Sequence, residues 1–97
     1  MDYRKFENQY VIRLDRGEEI VASLKTIAEK ENIKLAYLTG IGAVGRVTAG
    51  VFDTKEKVFK GRTWEGDLEV VSIGGNINTM NGETYIHFHI SVADEQG

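Results

Sequence analysis

His87 and His89 are the only histidines in this 97-residue chain, and they stand two positions apart. They lie in Thr84-Tyr85-Ile86-His87-Phe88-His89-Ile90-Ser91-Val92, which alternates strictly. Ile86, Phe88, Ile90 and Val92 are apolar; Tyr85, His87, His89 and Ser91 are not. Period two predicts a strand with one face in a core and the other presented to something polar. Two residues along a strand span roughly 6.6 Å. Imidazoles at that spacing can converge on one ion about 2 Å from each nitrogen. By geometry the pair is a metal half-site. A third ligand has to come from elsewhere in the chain, from a partner chain, or from residues outside this stretch. The other reading is an ordinary amphipathic strand whose histidines are hydrogen-bonded across the sheet.

The elements that must position this strand follow from pattern. Tyr10 to Asp15 reads as a first strand by its Val, Ile and Tyr content. Arg13 lies inside it, as an edge charge or a partner for an acid. Asp15 and Glu18 have the spacing of a capping box, with Asp15 as N-cap. A helix follows from Glu18 to about Glu31, closed by Asn32. Ile20, Val21, Leu24, Ile27 and Ala28 form its apolar stripe. Leu35 to Thr39 returns as a strand and runs into Gly40-Ile41-Gly42-Ala43-Val44-Gly45. A phosphate-binding glycine loop would need a helix here. The β-branched residues that follow predict a bend or bulge between two strands instead.

Val51 to Lys60 reads as a hairpin with a four-residue loop at Thr54 to Lys57. Gly66-Asp67 predicts a turn, Leu68 to Ile73 a strand, and Gly74-Gly75-Asn76 a bend. Asn81-Gly82 is the strongest hairpin signal and joins that segment to the histidine strand. One helix after the first strand, and about six strands linked by hairpins, predict an α+β domain on a largely antiparallel sheet. Residues 1–97 form a single domain in this reading, and no closing element follows the histidine strand.

Composition narrows the function. There is no cysteine, so neither a disulfide framework nor a thiolate site is available. That fits a reducing cytoplasm. The charged N-terminus carries no signal-peptide pattern, and no apolar run predicts a membrane span. Net charge is −3, unevenly spread. Residues 1–34 balance to zero, residues 35–66 carry +2, and residues 67–97 carry −5 with no basic group. A nucleic-acid binder normally shows a basic face. Here only Lys55 to Arg62 is basic, and Glu56 interrupts it.

Tyr10 to Glu19 (YVIRLDRGEE), Thr39 to Val44 (TGIGAV), Glu65 to Ser72 (EGDLEVVS), Gly75-Asn76-Ile77 and His87 to Asp94 (HFHISVAD) stand in one order and spacing. Together they resemble the plants and prokaryotes conserved (PPC) domain over essentially the whole chain. The resemblance implies a stand-alone prokaryotic module that assembles as a trimer. It also implies that His87 and His89 are two members of a zinc triad whose third histidine comes later in a glycine-rich segment. A related fold in acetolactate decarboxylase holds zinc through a similar His-x-His and a later His. Plant members follow an AT-hook, an Arg-Gly-Arg-Pro element that this chain lacks. The third histidine is also missing here, so the domain reads as truncated at its C-terminus.

Three function classes result. The first is a cytoplasmic, homotrimeric module with a zinc site at His87 and His89, regulatory or small-molecule-binding rather than catalytic. Tyr85, Ser91, Asp94, Arg13 and Asn76 are candidates for its second shell or ligand pocket. The second is a DNA-associated protein, which the charge balance disfavours. The third is a zinc-dependent lyase acting on a small carbonyl compound, with Tyr85, Glu83 or Asp94 as general acid or base.

Overall fold

A computed structural model describes all of residues 1–97. In chain order the elements are β1 (Asp2–Phe6), β2 (Gln9–Arg13), α1 (Ile20–Lys30), β3 (Ala36–Asp53), β4 (Val58–Met80) and β5 (Glu83–Ala93). β1 and β2 form a two-stranded sheet, and β3-β4-β5 form a three-stranded sheet with β4 in the middle. The fold is mostly antiparallel sheet with one short helix, as the sequence predicts. Two compact units divide the chain: Met1–Ala36 with Asn76–His87, and Tyr37–Gly75 with Phe88–Gly97.

In the first unit, β1 is a strand that the pattern did not announce, so the helix follows the second strand. β1 has charges on both faces and earns its extended form by pairing antiparallel with β2, Tyr3 opposite Ile12 and Lys5 opposite Tyr10. Tyr3 and Tyr10 hydroxyls both donate to the Glu31 carboxylate, at 3.1 and 3.4 Å, and so tie this hairpin to the end of α1.

The helix starts later than the Asp15 cap predicts. The Asp15 side chain is taken by the Met1 ammonium at 2.7 Å. Glu18 instead accepts the Asp15 N–H at 2.7 Å, and the Glu18 N–H returns to the Asp15 carbonyl. That closed turn passes through Gly17 at φ +91. Glu19 becomes the N-cap, its carboxylate accepting from the Ala22 N–H. At the other end Asn32 takes φ +54, with Ile33 N–H on the Ala28 carbonyl and Asn32 N–H on the Glu29 carbonyl. This is a Schellman closure with Asn in the left-handed position. Ile27 and Ala28 are fully buried, and Ile77 joins the buried residues of this unit. Val21 departs from the expected stripe and is exposed, while Ser23 is buried.

In the second unit, β3 and β4 run far longer than the glycine signals predict. β3 carries no break at Gly40 to Gly45; its half-buried positions switch phase once, between Val44 and Val47. β4 makes no turn at Gly66-Asp67 and no bend at Gly74 to Asn76. Its buried residues also switch phase, Leu68 and Val70 on one register and Ile73 on the next. Both strands continue through these glycines: Gly66 takes φ +130, open to glycine, without leaving β4, and the phase change absorbs what a turn would have done. The four-residue loop Thr54 to Lys57 stands where it was expected, with Lys57 at φ +57.

Candidate metal centre

β5 owes its placement to the two-residue turn Asn81-Gly82. Both residues have positive φ, +53 and +79. That is the primed hairpin turn, whose twist matches the flanking strands and which fixes their register. With the register set, every side chain of β5 has an assigned face. Thr84, Ile86, Phe88, Ile90 and Val92 are half-buried; Tyr85, His87, His89 and Ser91 are exposed. The expected alternation is therefore observed along the full strand. A slip of one residue would bury both imidazoles and expose the apolar row.

On the exposed row the Tyr85 and His87 rings lie 6.5 Å apart between centroids and within 20° of parallel. Neither imidazole stands without a partner in the chain. The other candidates lie apart from this row. Asp94 sits in the turn after β5, its carboxylate accepting the Gln96 N–H at 2.9 Å. Arg13 is exposed on β2, 3.9 Å from Asp15. Asn76 on β4 accepts from the Asn78 side-chain amide at 3.4 Å. Glu83 opens β5 and borders a cleft of about 310 Å³ that Lys25, Glu29, Asn32 and Lys34 also line. No spacing in the sequence marked that cleft, because its residues come from a helix and two separate turns.

The metal fit can be judged from the donors. Two neutral imidazoles on one strand face suit two positions of a tetrahedral zinc shell. No three His, Cys, Asp or Glu side chains of the chain gather closely enough to hold a metal ion. Residues 1–97 thus fit half of a zinc shell, and no step of chemistry is derived through it.

The model of the Plants and Prokaryotes Conserved domain matches residues 1–97. No curated protein matches the chain. Among solved structures, a candidate DNA-binding protein from Bacteroides thetaiotaomicron is 32% identical with a TM-score of 0.93, over 98% of this chain and 66% of that one. A plant- and prokaryote-conserved protein from Pyrococcus horikoshii is 32% identical with a TM-score of 0.83, over 89% and 60%. A metal-containing protein from Archaeoglobus fulgidus is 26% identical with a TM-score of 0.83, over 89% and 61%. The chain thus spans about two thirds or less of the length of these structures.

Proposed function

The chain belongs to the Plants and Prokaryotes Conserved domain family, and from that premise we propose that it is a self-assembling metal-binding module, threefold in symmetry, with a regulatory rather than a catalytic role. His87 and His89 are two ligands of a zinc ion in this reading. The remaining positions are filled from outside residues 1–97, by water or by a group from another copy. Tyr85 and Ser91 flank the pair on the same row and would shape what a small ligand meets there. The observation that carries the reading is the single exposed row Tyr85, His87, His89 and Ser91 on β5. The Archaeoglobus relative, described as metal-containing, lends it support.

Titration with zinc tests it. We expect weak binding to the 97-residue chain, because two neutral ligands leave half the shell to water. Binding should disappear in the His87→Ala/His89→Ala double variant. Both histidines are exposed on β5, so that variant should keep its fold. Zinc held equally well without the two imidazoles would refute the assignment.

The name of the Bacteroides relative raises a second reading, association with DNA. Three of the five cations of residues 35–66 are engaged within the chain, which weighs against direct contact. Lys60 is engaged by Asp53 at 3.0 Å and Glu56 at 3.6 Å, Arg46 lies 4.0 Å from Glu65, and Arg62 stacks over Trp64. Duplex DNA should therefore bind no better than the non-specific range, roughly 10⁻⁴ M at physiological salt. A sub-micromolar gel shift that survives about 200 mM salt would promote the DNA reading over the metal one.

A further inference from the structure

Residues 46–65 form a two-stranded ribbon that contributes nothing to the core. From Gly50 to Asp67 every residue is exposed except Asp53, which is half-buried. The ribbon is nonetheless well built. The Asp53 carboxylate accepts the Lys55 and Glu56 N–H groups at 2.9 and 3.0 Å and holds the Lys60 ammonium. Those donors keep the Asp53 carboxyl below its ordinary pKa, the Glu56 N–H contributing most.

One face of the ribbon has an unusual surface. Thr48 and Thr63 share a hydrogen bond of 2.8 Å between their hydroxyls, so they lie on the same face. Period two then places Gly50 and Phe52, and Gly61 and Phe59, on that face too. A Cβ on Gly50 would meet the Lys60 carbonyl oxygen at 2.0 Å, so the two backbones are pressed together. A Cβ on Gly61 would meet the Phe59 ring at 2.6 Å, so that ring lies across the glycine. The result is a bare backbone floor beside two phenylalanines, each 58% exposed. Apolar residues scattered singly on a surface are ordinary, whereas exposed apolar side chains gathered on one face mark an interaction site.

We propose that this ribbon is a docking arm that seats on the outward strip Asp67, Glu69 and Val71 of a second copy of the chain. The inference rests on the self-assembly proposed above and names its surfaces. Charge selects the occupant. Lys55 and Lys57 at the arm's tip make no ion pair within the chain, and neither do Asp67 and Glu69. Residues 35–66 carry +2, while residues 67–97 hold five acids and no base. On β4 the exposed Asp67, Glu69 and Val71 alternate with the buried Leu68 and Val70, so they form one outward row. That row is acidic and ends in Val71, 56% exposed. An unrelated acidic partner would satisfy the arm and leave the strip unused; a second copy satisfies both. Contact between two unlike patches is heterologous and closes into a ring at a suitable rotation. A threefold assembly is one such ring.

Sedimentation equilibrium at low salt tests the arm in three variants beside the unaltered chain. The unaltered chain should sediment as a multiple of 10.9 kDa. Phe52→Ser/Phe59→Ser should weaken association on the order of a hundredfold, the scale of losing two central aromatic anchors. Lys55→Glu/Lys57→Glu should weaken it roughly tenfold. Adding Asp67→Lys/Glu69→Lys to the latter should restore it, which a merely structural role for the lysines would not do. Far-UV circular dichroism confirms that each variant keeps its strands. An unaltered chain that stays at 10.9 kDa would overturn the assembly reading itself. Unaltered chains that assemble, together with arm variants that assemble equally well, would overturn the arm alone and point to some other occupant of the Phe52 and Phe59 face. A charge reversal that the second pair fails to rescue would overturn the strip as its seat.

Discussion

Ile27→Ala is expected to lower stability by about 3 kcal/mol, within the usual range for deleting a buried isoleucine's branches. Ile27 is 1% exposed and is the largest fully buried side chain of the molecule. It lies one turn before the Schellman closure at Asn32, where Ile33 is hydrogen-bonded back to Ala28. The C-terminal end of the helix is held twice, by that closure and by the Tyr3 and Tyr10 hydroxyls on the Glu31 carboxylate. The helix therefore has little freedom to settle into the space left behind, and the cavity cost is felt in full. For a domain of this size the loss corresponds to a fall in Tm of about 15 °C. The comparison must be made at one protein concentration, because self-association makes Tm concentration-dependent. A loss below about 1 kcal/mol would show that the site collapses and that the core is looser than its burial implies.

Gly50→Ala is expected to open the ribbon without unfolding the rest. The new methyl would lie 2.0 Å from the Lys60 carbonyl oxygen and 2.6 Å from the Gly61 Cα. Both are backbone atoms, so no side-chain rotation relieves the overlap and the strands must move apart. Overpacking of this kind costs about 1–3 kcal/mol. None of the residues buried in the structure comes from 46–65, so the cost falls on the ribbon's own opening equilibrium. Amide protection at Thr48 and Thr63 should drop by roughly a hundredfold, while protection in α1 stays near its starting value. The same variant should assemble less well if the Phe52 and Phe59 face is the docking surface. Protection lost equally in α1 and the ribbon would mean that the ribbon is part of the cooperative core.

The histidine strand was legible because one period runs through it from Thr84 to Val92 without interruption, and Asn81-Gly82 announces the turn that fixes its register. The helix was legible by its stripe, but its start was not. Asp15 has a cap's chemistry, and only the fold shows that the Met1 ammonium has taken its carboxylate. β1 could not be read from its own residues, since Arg4 and Lys5 place charge on opposite faces and only pairing with β2 makes it a strand. Gly66 and Gly74-Gly75 misled in the opposite direction. Glycine permits a turn but does not require one, and Gly66 accommodates its positive φ inside a continuous strand. At the candidate site, sequence identified the row of Tyr85, His87, His89 and Ser91. It did not separate that row from Arg13, Asn76 and Asp94, each of which the fold commits to a neighbour of its own. The Gly50 and Gly61 floor was equally hidden, because its face is defined by the cross-strand bond between Thr48 and Thr63.

The most direct measurement of the metal assignment is zinc-edge X-ray absorption on the chain loaded with zinc at millimolar concentration. His87 and His89 predict two imidazole nitrogens at about 2.0–2.1 Å, with the outer-shell scattering of the rings, and the remaining positions filled by oxygen. That signature should vanish in His87→Ala/His89→Ala. An all-oxygen shell without ring scattering, or an unchanged spectrum in the double variant, would contradict the account.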